Sequence, residues 1–295
     1  MRKLQHAISF KKYHGTGNDF LIIDAAEPVP DRGALAGKYC DRETGIDSPD
    51  GGRRGADGVL FLGLEDRFTP PRIVMTLVQP DGSVAAMCGN GARCTAAWGH
   101  DQIGADEFMI DTQAGTRHAQ IEDETITIEM GEPAFDPSRV PLSTEYNGPL
   151  IEDDVEGLTV TAVNTGVPHA VAFVADVDDV DLTAVAPAVR HADVFPRGAN
   201  VTLASPIDSD DPTAGFRQRT FERGVEGETR SCGTGAVAVV AAAKRTGRIE
   251  TADPVTVTPP GGTLEIVVPD RGPATLAGPV AHEFDGELSV VVPGE

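Results

Sequence analysis

Short alternations of apolar and polar residues, cut by Gly, Pro and Asp, run through most of the chain and predict β-strands. In the first half they fall at residues 20–24, 59–62 and 72–78, then at 107–111, 119–121 and 125–129. In the second half they fall at 170–174 and 216–221, then at 255–258, 264–268 and 274–277. Between the two groups of each half lies one Ala-rich stretch without strand periodicity, residues 92–100 and 236–246, and each predicts a helix. The second closes on Gly247 with Lys244 and Arg245 in its last turn, an order suited to a helix C-terminus. Val237, Ala238, Val239, Val240 and Ala241 leave it no polar face, so sheet must wrap it. Each half therefore reads as mostly antiparallel sheet around one short helix, an α+β class. Residues 47–54, rich in Asp, Gly and Arg, read as a mobile surface loop, and residues 135–149, with three prolines, as the link between halves.

The halves also echo each other in sequence. Cys88-Gly89-Asn90-Gly91-Ala92 and Cys232-Gly233-Thr234-Gly235-Ala236 lie 144 residues apart, close to half the chain. Gly55-Ala56-Asp57 and Gly198-Ala199-Asn200 precede their cysteines by 31 and 32 residues, and Thr16-Gly17-Asn18 and Thr165-Gly166-Val167 by 70 and 65. Gly115-Thr116 and Gly262-Thr263 follow by 28 and 31. Four landmarks in one order at near-equal spacing argue for a duplicated domain. The expected division is residues 1–136, joined by a returning C-terminal strand at 283–295, and residues 137–282.

A length of 295 residues suits two domains of ordinary size, and 40% hydrophobic residues with 33 Gly and 22 Pro describe a globular, turn-rich chain. The formal net charge of −22 repels phosphate backbones and anionic lipid, so neither nucleic acid nor a membrane surface is an expected partner. Lys occurs only at positions 3, 11, 12, 38 and 244, while acidic residues crowd 152–154, 176–181 and 208–211. That pattern reads as a salt-adapted, halophilic surface, whose self-repulsion counterions screen. No apolar run is long enough to span a bilayer, and residues 1–7 lack the apolar core of a signal peptide, so the cytoplasm is the expected location.

Four cysteines, at 40, 88, 94 and 232, are too few for a disulfide scaffold and show no zinc-ligand spacing. Cys40 and Cys94 read as packing residues. Cys88 and Cys232 differ, because each precedes a Gly-rich turn that opens a helix. There the unsatisfied N–H groups and positive dipole end favour a thiolate, and the same amides can hold a carboxylate. Two such ends, one per half, are expected to face each other across a cleft holding a small carboxylate substrate. One thiolate would remove a proton and the opposite thiol deliver one.

The chain resembles the diaminopimelate epimerases from about Ile8 to Gly286. The resemblance rests on His14-Gly15-Thr16-Gly17-Asn18-Asp19-Phe20, Gly55-Ala56-Asp57-Gly58, Asp81-Gly82-Ser83, Cys88-Gly89-Asn90-Gly91-Ala92-Arg93, Pro168-His169, Glu222-Arg223-Gly224, Gly227-Glu228-Thr229 and Cys232-Gly233-Thr234-Gly235. It implies two pseudo-symmetric domains, each a mostly antiparallel or mixed β-barrel around a central helix. It implies too a cofactor-independent isomerase that interconverts LL- and meso-2,6-diaminopimelate in lysine biosynthesis, with Cys88 and Cys232 as acid and base. Asn18, Gln79, Asn200 and Arg223 would hold substrate, with Gly89, Asn90, Gly233 and Thr234, while His169 and Glu222 would tune the thiols and orient the substrate. Gln79 stands where many members have Asn, Val167 where many have Asn, and Gly58 where Gln can occur; these departures bear on substrate selectivity.

Two other readings remain open at this point: a related racemase or isomerase of the same fold, and a noncatalytic thiol or disulfide binding module. No lysine sits in a pyridoxal-phosphate setting and no His/Asp/Glu cluster has ligand spacing, so no cofactor or metal is implied. A homodimer is left open. The charge pattern makes a direct prediction: a thermal melt in dilute buffer falls well below one in molar KCl, and equal melts would refute salt adaptation.

Overall fold

The computed structural model of the chain describes residues 3–49, 51–208 and 215–293. The acidic stretch 208–211 lies, beyond Asp208, outside the described residues, as do residues 1 and 2 ahead of the first strand. In chain order the elements are β1 (Lys3–Gly15), β2 (Asn18–Asp24), α1 (Arg32–Tyr39), β3 (Gly58–Glu65), β4 (Arg72–Val78), β5 (Val84–Ala85), α2 (Gly89–Ile103), β6 (Glu107–Thr112), β7 (Gly115–Glu122) and β8 (Thr125–Gly131). They continue with β9 (Asp153–Val155), β10 (Leu158–Asn164), β11 (Pro168–Phe173), a 3-10 turn (Val177–Asp179), α3 (Leu182–Arg190), β12 (Asn200–Pro206), β13 (Phe216–Glu222) and β14 (Gly227–Thr229). The last are α4 (Gly233–Arg245), β15 (Val255–Thr258), β16 (Leu264–Val267), β17 (Ala274–Pro279) and β18 (Ala281–Pro293). The chain forms two compact units, one running to Ile126 and resuming at Pro279, the other Thr127–Gly278.

The strand ladders carry the duplication more clearly than the sequence does. In the first unit β1–β2 is antiparallel, β2–β3 parallel, β3–β4 antiparallel, β4–β6 parallel and β6–β7 antiparallel. In the second, β10–β11, β11–β12, β12–β13, β13–β15 and β15–β16 repeat that order of senses. Parallel neighbours need a crossover, and each unit supplies two. A short helix, α1 or α3, fills the first, and a long helix, α2 or α4, fills the second. Each unit is thus a mixed barrel of strands around its long helix.

The two helices of a unit cover opposite faces of its sheet. Every residue from Gly233 to Ala243 of α4 is buried, as its lack of a polar face requires. On the outer side α3 buries Leu182, Ala186 and Val189 against Ala162, Ala170, Val201 and Leu203. In the first unit Leu35 and Ala36 of α1 pack with Ile8, Leu21, Ile23, Val59 and Phe61. Burial on both faces explains why β2 and β12 are buried at nearly every position instead of at alternate ones.

Pattern reading finds α2 and α4 but not α1, whose eight residues include Gly33 and Gly37, nor α3, which contains Pro187. Asp31 and Asp181 cap these helices by accepting from the amides of Ala34 and Ala184. Strand β1 also escapes it, because Lys12 continues the buried series of Ile8 and Phe10, on the face that α1 covers, and is itself fully buried. Tyr13, across a bulge from Lys12, is buried as well. Partners compensate the buried Lys12 charge: its Nζ lies 2.9 Å from Asp19 and 3.3 Å from Glu283, and donates to the Arg53 carbonyl at 2.7 Å. The loop at residues 47–54 is held by that bond and by the Arg54–Asp47 pair at 2.8 Å. No helix among the described residues is long and apolar enough to cross a membrane.

Helix α2 lies close against its barrel wall at Gly99, where an added Cβ would come within 2.6 Å of Ile73 and 2.9 Å of Phe108. Gly99→Val should therefore cost about 1–3 kcal/mol of stability by overpacking, read as a lower midpoint in urea at unchanged slope. A neutral result would mean that the helix does not sit against this wall.

Candidate active site

Cys88 and Cys232 are the N-cap residues of α2 and α4, both in extended backbone conformation as an N-cap requires. The Gly91 amide donates to Cys88 Sγ at 3.3 Å, a bond that strengthens when sulfur is charged. Cys232 makes no such cap bond; its Sγ instead lies 3.4 Å from the Thr234 hydroxyl. Burial pushes the Cys40 thiol up to about 12 and raises that of Cys94 further.

In the first unit Asn18, Cys88, Gly89 and Asn90 come together. Asn18 Oδ1 accepts from Asn90 Nδ2 at 3.2 Å and lies 3.8 Å from Cys88 Sγ. Its Nδ2 donates to Asp57 Oδ2 at 2.8 Å. Asn90 is held in turn by Arg93, which donates to its Oδ1 at 2.6 Å, to Thr16 Oγ1 at 3.1 Å and to the Pro279 carbonyl at 2.8 Å. Burial lowers Arg93 to about 10, and its Nε has no partner. Gln79 is engaged in its own turn, its Oε1 accepting from Ser83 at 3.0 Å.

Behind Asn18 stands a charged cluster. Arg42 forms a bidentate pair with Asp19 and also bonds Asp57, with Arg53 at 3.5 Å from Asp57. Burial would raise Asp19, but the Arg42 bond and charge, with Lys12 beyond, hold it at about 2. Burial and the charge of Asp19 push Asp57 up, against Arg42 and Arg53.

In the second unit His169, Asn200, Arg223, Cys232, Gly233 and Thr234 are linked. His169 is fully buried between the Thr202 hydroxyl at 3.1 Å and the Thr234 hydroxyl at 3.0 Å, with Asn200 Nδ2 at 3.4 Å from its Nε2. A line of contacts therefore runs from Thr202 through His169 and Thr234 to Cys232. Burial, then the charge of Arg223, lowers His169 to about 3, so the ring is neutral. Asn200 Oδ1 accepts from the Arg223 amide at 2.8 Å. The Arg223 guanidinium donates to the carbonyls of Arg197 at 3.2 Å and Gly198 at 3.5 Å, and burial followed by repulsion from Arg190 lowers its pKa. Glu222 accepts from the Thr229 hydroxyl. Gln218 braces the helix start, donating to the Cys232 carbonyl at 3.2 Å.

The ladders adjust one equivalence drawn from spacing. Phe20 pairs with Gly58 and His169 with Asn200, so Gly58, not Asp57, takes the place of Asn200 in the first unit. A Cβ at Gly58 would already lie 2.7 Å from Leu77. Asp57, Arg93, Thr202 and Gln218 are site neighbours that the sequence reading did not single out. For Arg93 a signal existed, since it lies inside the Cys88–Arg93 motif whose other members include site residues, while Asp57 lies in Gly55-Ala56-Asp57-Gly58, a motif quoted for the family resemblance but holding no other site residue.

A family model described as diaminopimelate epimerase matches residues 10–135 and 161–282. The chain belongs to the diaminopimelate epimerase family. It is 43% identical to the diaminopimelate epimerase of Methanocella arvoryzae over 296 residues, covering 96% of this chain and 97% of that one. With the diaminopimelate epimerase of Methanothrix thermoacetophila the identity is 40%, covering 95% and 90%. Among solved structures, a hydroxyproline epimerase from Agrobacterium vitis with bound trans-4-hydroxy-L-proline superposes with a TM-score of 0.63 at 18% identity, covering 99% of this chain and 95% of that one. A predicted epimerase from Pseudomonas aeruginosa gives 0.65 at 16%, covering 95% and 99%. These structural likenesses establish the fold that the diaminopimelate epimerase family shares with other epimerases.

The buried neutral His169 gives this family member an acid sensitivity of definite sign. An unfolded histidine takes up a proton below about pH 6.5, whereas the folded one refuses it until about 3. Stability is therefore lost as pH falls through that window. His169→Gln should narrow the difference in melting temperature between pH 7 and pH 5; an unchanged difference would show that the ring is not held neutral.

Proposed function

We propose that the chain interconverts LL- and meso-2,6-diaminopimelate without a cofactor, with Cys88 and Cys232 as the proton-transfer pair. The observation that carries this reading is that a family member places one cysteine at the N-cap of the buried helix in each of two duplicated units. One sulfur, as thiolate, takes the α-proton, and the C–H electron pair moves onto the adjacent carboxylate. The other, as thiol, returns a proton to the opposite face, and the two sulfurs exchange protonation states. The charge that accumulates on the carboxylate needs donors fixed in advance, and helix N-terminal amides at Gly89, Asn90, Gly233 and Thr234 suit that task.

Asn18 and Asn200 offer amides, Arg223 a fork for the distal carboxylate, and Glu222 an acceptor for an ammonium group. Gln79 serves where relatives use Asn. Neutral His169 acts on Cys232 through the Thr234 hydroxyl, which accepts from or donates to sulfur as its protonation changes. Thiols that must stay reduced suit the cytoplasm, where we place the enzyme in lysine biosynthesis, and the acidic surface suits high salt.

Incubation of LL-diaminopimelate with the protein in D₂O should place deuterium at one α-carbon as the meso isomer forms. Cys88→Ser and Cys232→Ser should each lower kcat by about 10²-fold or more. Retained activity in both variants would discard the two-thiol mechanism. Equal turnover of an amino acid lacking the distal charged end would move the assignment to a related racemase.

A further inference from the structure

The geometry points to Asp57 as a positioning residue that sets which end of the Asn18 amide faces Cys88. The inference rests on the proposed epimerase reading for its kinetic consequence, but its structural basis is independent of substrate. An Asn amide can turn through a half circle and exchange its oxygen and nitrogen with almost no change in shape. What decides its orientation is the chemistry of its neighbours. Here Asn18 lies between Asp57 on one side and Asn90 with Cys88 on the other.

Asp57 is surrounded by donors. Its Oδ1 takes Arg42, and its Oδ2 takes Asn18 Nδ2 at 2.8 Å, the Asp19 amide at 3.1 Å and Arg53 at 3.5 Å. Although burial and Asp19 push its pKa up, donors face both of its oxygens, so it acts as an acceptor and the Asn18 NH₂ points to it. The oxygen of Asn18 is thereby committed to the opposite side, where it accepts from Asn90 Nδ2 at 3.2 Å and lies 3.8 Å from Cys88 Sγ. Were the amide reversed, two NH₂ groups would meet at Asn90 and an oxygen would face a carboxylate. Asn90 is itself fixed from behind, because Arg93 can bond only to its oxygen. The Arg42–Asp57 and Arg93 anchors thus impose one hydrogen-bond polarity along Asp57, Asn18 and Asn90, and present an acceptor to the S–H form of Cys88.

The corresponding arrangement in the second unit is different in kind. Val167 replaces the amide, and Cys232 meets a hydroxyl backed by a neutral imidazole.

A double-mutant cycle on Asp57→Asn and Asn18→Ala tests the assignment. Asp57→Asn frees the Asn18 amide to turn and should lower kcat about tenfold with KM changed less than threefold. Added to Asn18→Ala, the same substitution should change kcat less than twofold. Independent, multiplying losses would overturn the inference. Should Asp57→Asn fail to fold, Asp57→Glu keeps the charge against Arg42, displaces the acceptor by one methylene and enters the same cycle. A second readout needs no substrate: iodoacetamide alkylation of Cys88 against pH in the Cys232→Ser protein. Asp57→Asn should shift that profile when Asn18 is present and leave it unmoved when Asn18 is Ala. Coupling in alkylation without epimerisation by the wild type would retain Asp57 as positioning residue and reject the substrate; epimerisation without coupling would do the reverse.

Discussion

The structure depends on one constraint, a helix with no polar side that must begin at the rim of the barrel that encloses it. Water cannot satisfy the interior of α4, so strands surround it from Gly233 to Ala243 and leave its start as the point where polar chemistry collects. Helix α2 obeys the same rule in the first unit, buried from Gly89 through Ala96 and again at Trp98 and Gly99. Because the N-cap sulfur sits at the positive end of each helix dipole, burial of the helix and placement of the sulfur are one structural event. A mutation that loosened the helix in its barrel would also move the sulfur.

Much of this was legible in the chain, and the parts that were not have specific reasons. The strand at 72–78 stands out because its alternation is uninterrupted, and the two Ala-rich helices because they lack strand periodicity, the second being closed by Gly247 at φ 69°. The two cysteines stand out because the motif occurs twice. Helices α1 and α3 are hidden because their formation is driven by packing against the outer sheet face more than by propensity, with two glycines in one and a proline in the other. Strand β1 is hidden because its buried Lys12 breaks the apolar alternation, and partners it meets in the fold, Asp19, Glu283 and the Arg53 carbonyl, make that burial tolerable. Asp57 lay in plain view inside Gly-Ala-Asp-Gly, but its role depends on a bond to Asn18, 39 residues away.

Duplication supplied two equivalent helix starts, and divergence then gave them different surroundings. Around Cys88 the polar chain is anchored by full charges, Arg42 with Asp57 on one side and Arg93 on the other, and those charges fix the direction of every hydrogen bond between them. Around Cys232 the contacts run through hydroxyls and an imidazole. His169 is kept neutral by burial, and the Thr234 hydroxyl it contacts can turn its single proton either way.

That difference has a mechanistic logic. A thiol facing a fixed acceptor is favoured in its protonated form, because S–H has somewhere to point. A thiol facing a rotatable hydroxyl meets a partner that donates to S⁻ as readily as it accepts from S–H. Under the proposed mechanism the pair need not share one resting state, and a reaction that starts with one sulfur charged and the other protonated gains from that inequality. Reversal of the reaction inverts the assignment, and the Gly91 amide, which reaches Cys88 Sγ at 3.3 Å, offers the stabilisation that thiolate would then require. If the proposed proton-transfer pair is right, two unlike environments on one repeated scaffold distinguish the sulfur that starts as base from the one that starts as acid, which two identical ones would not.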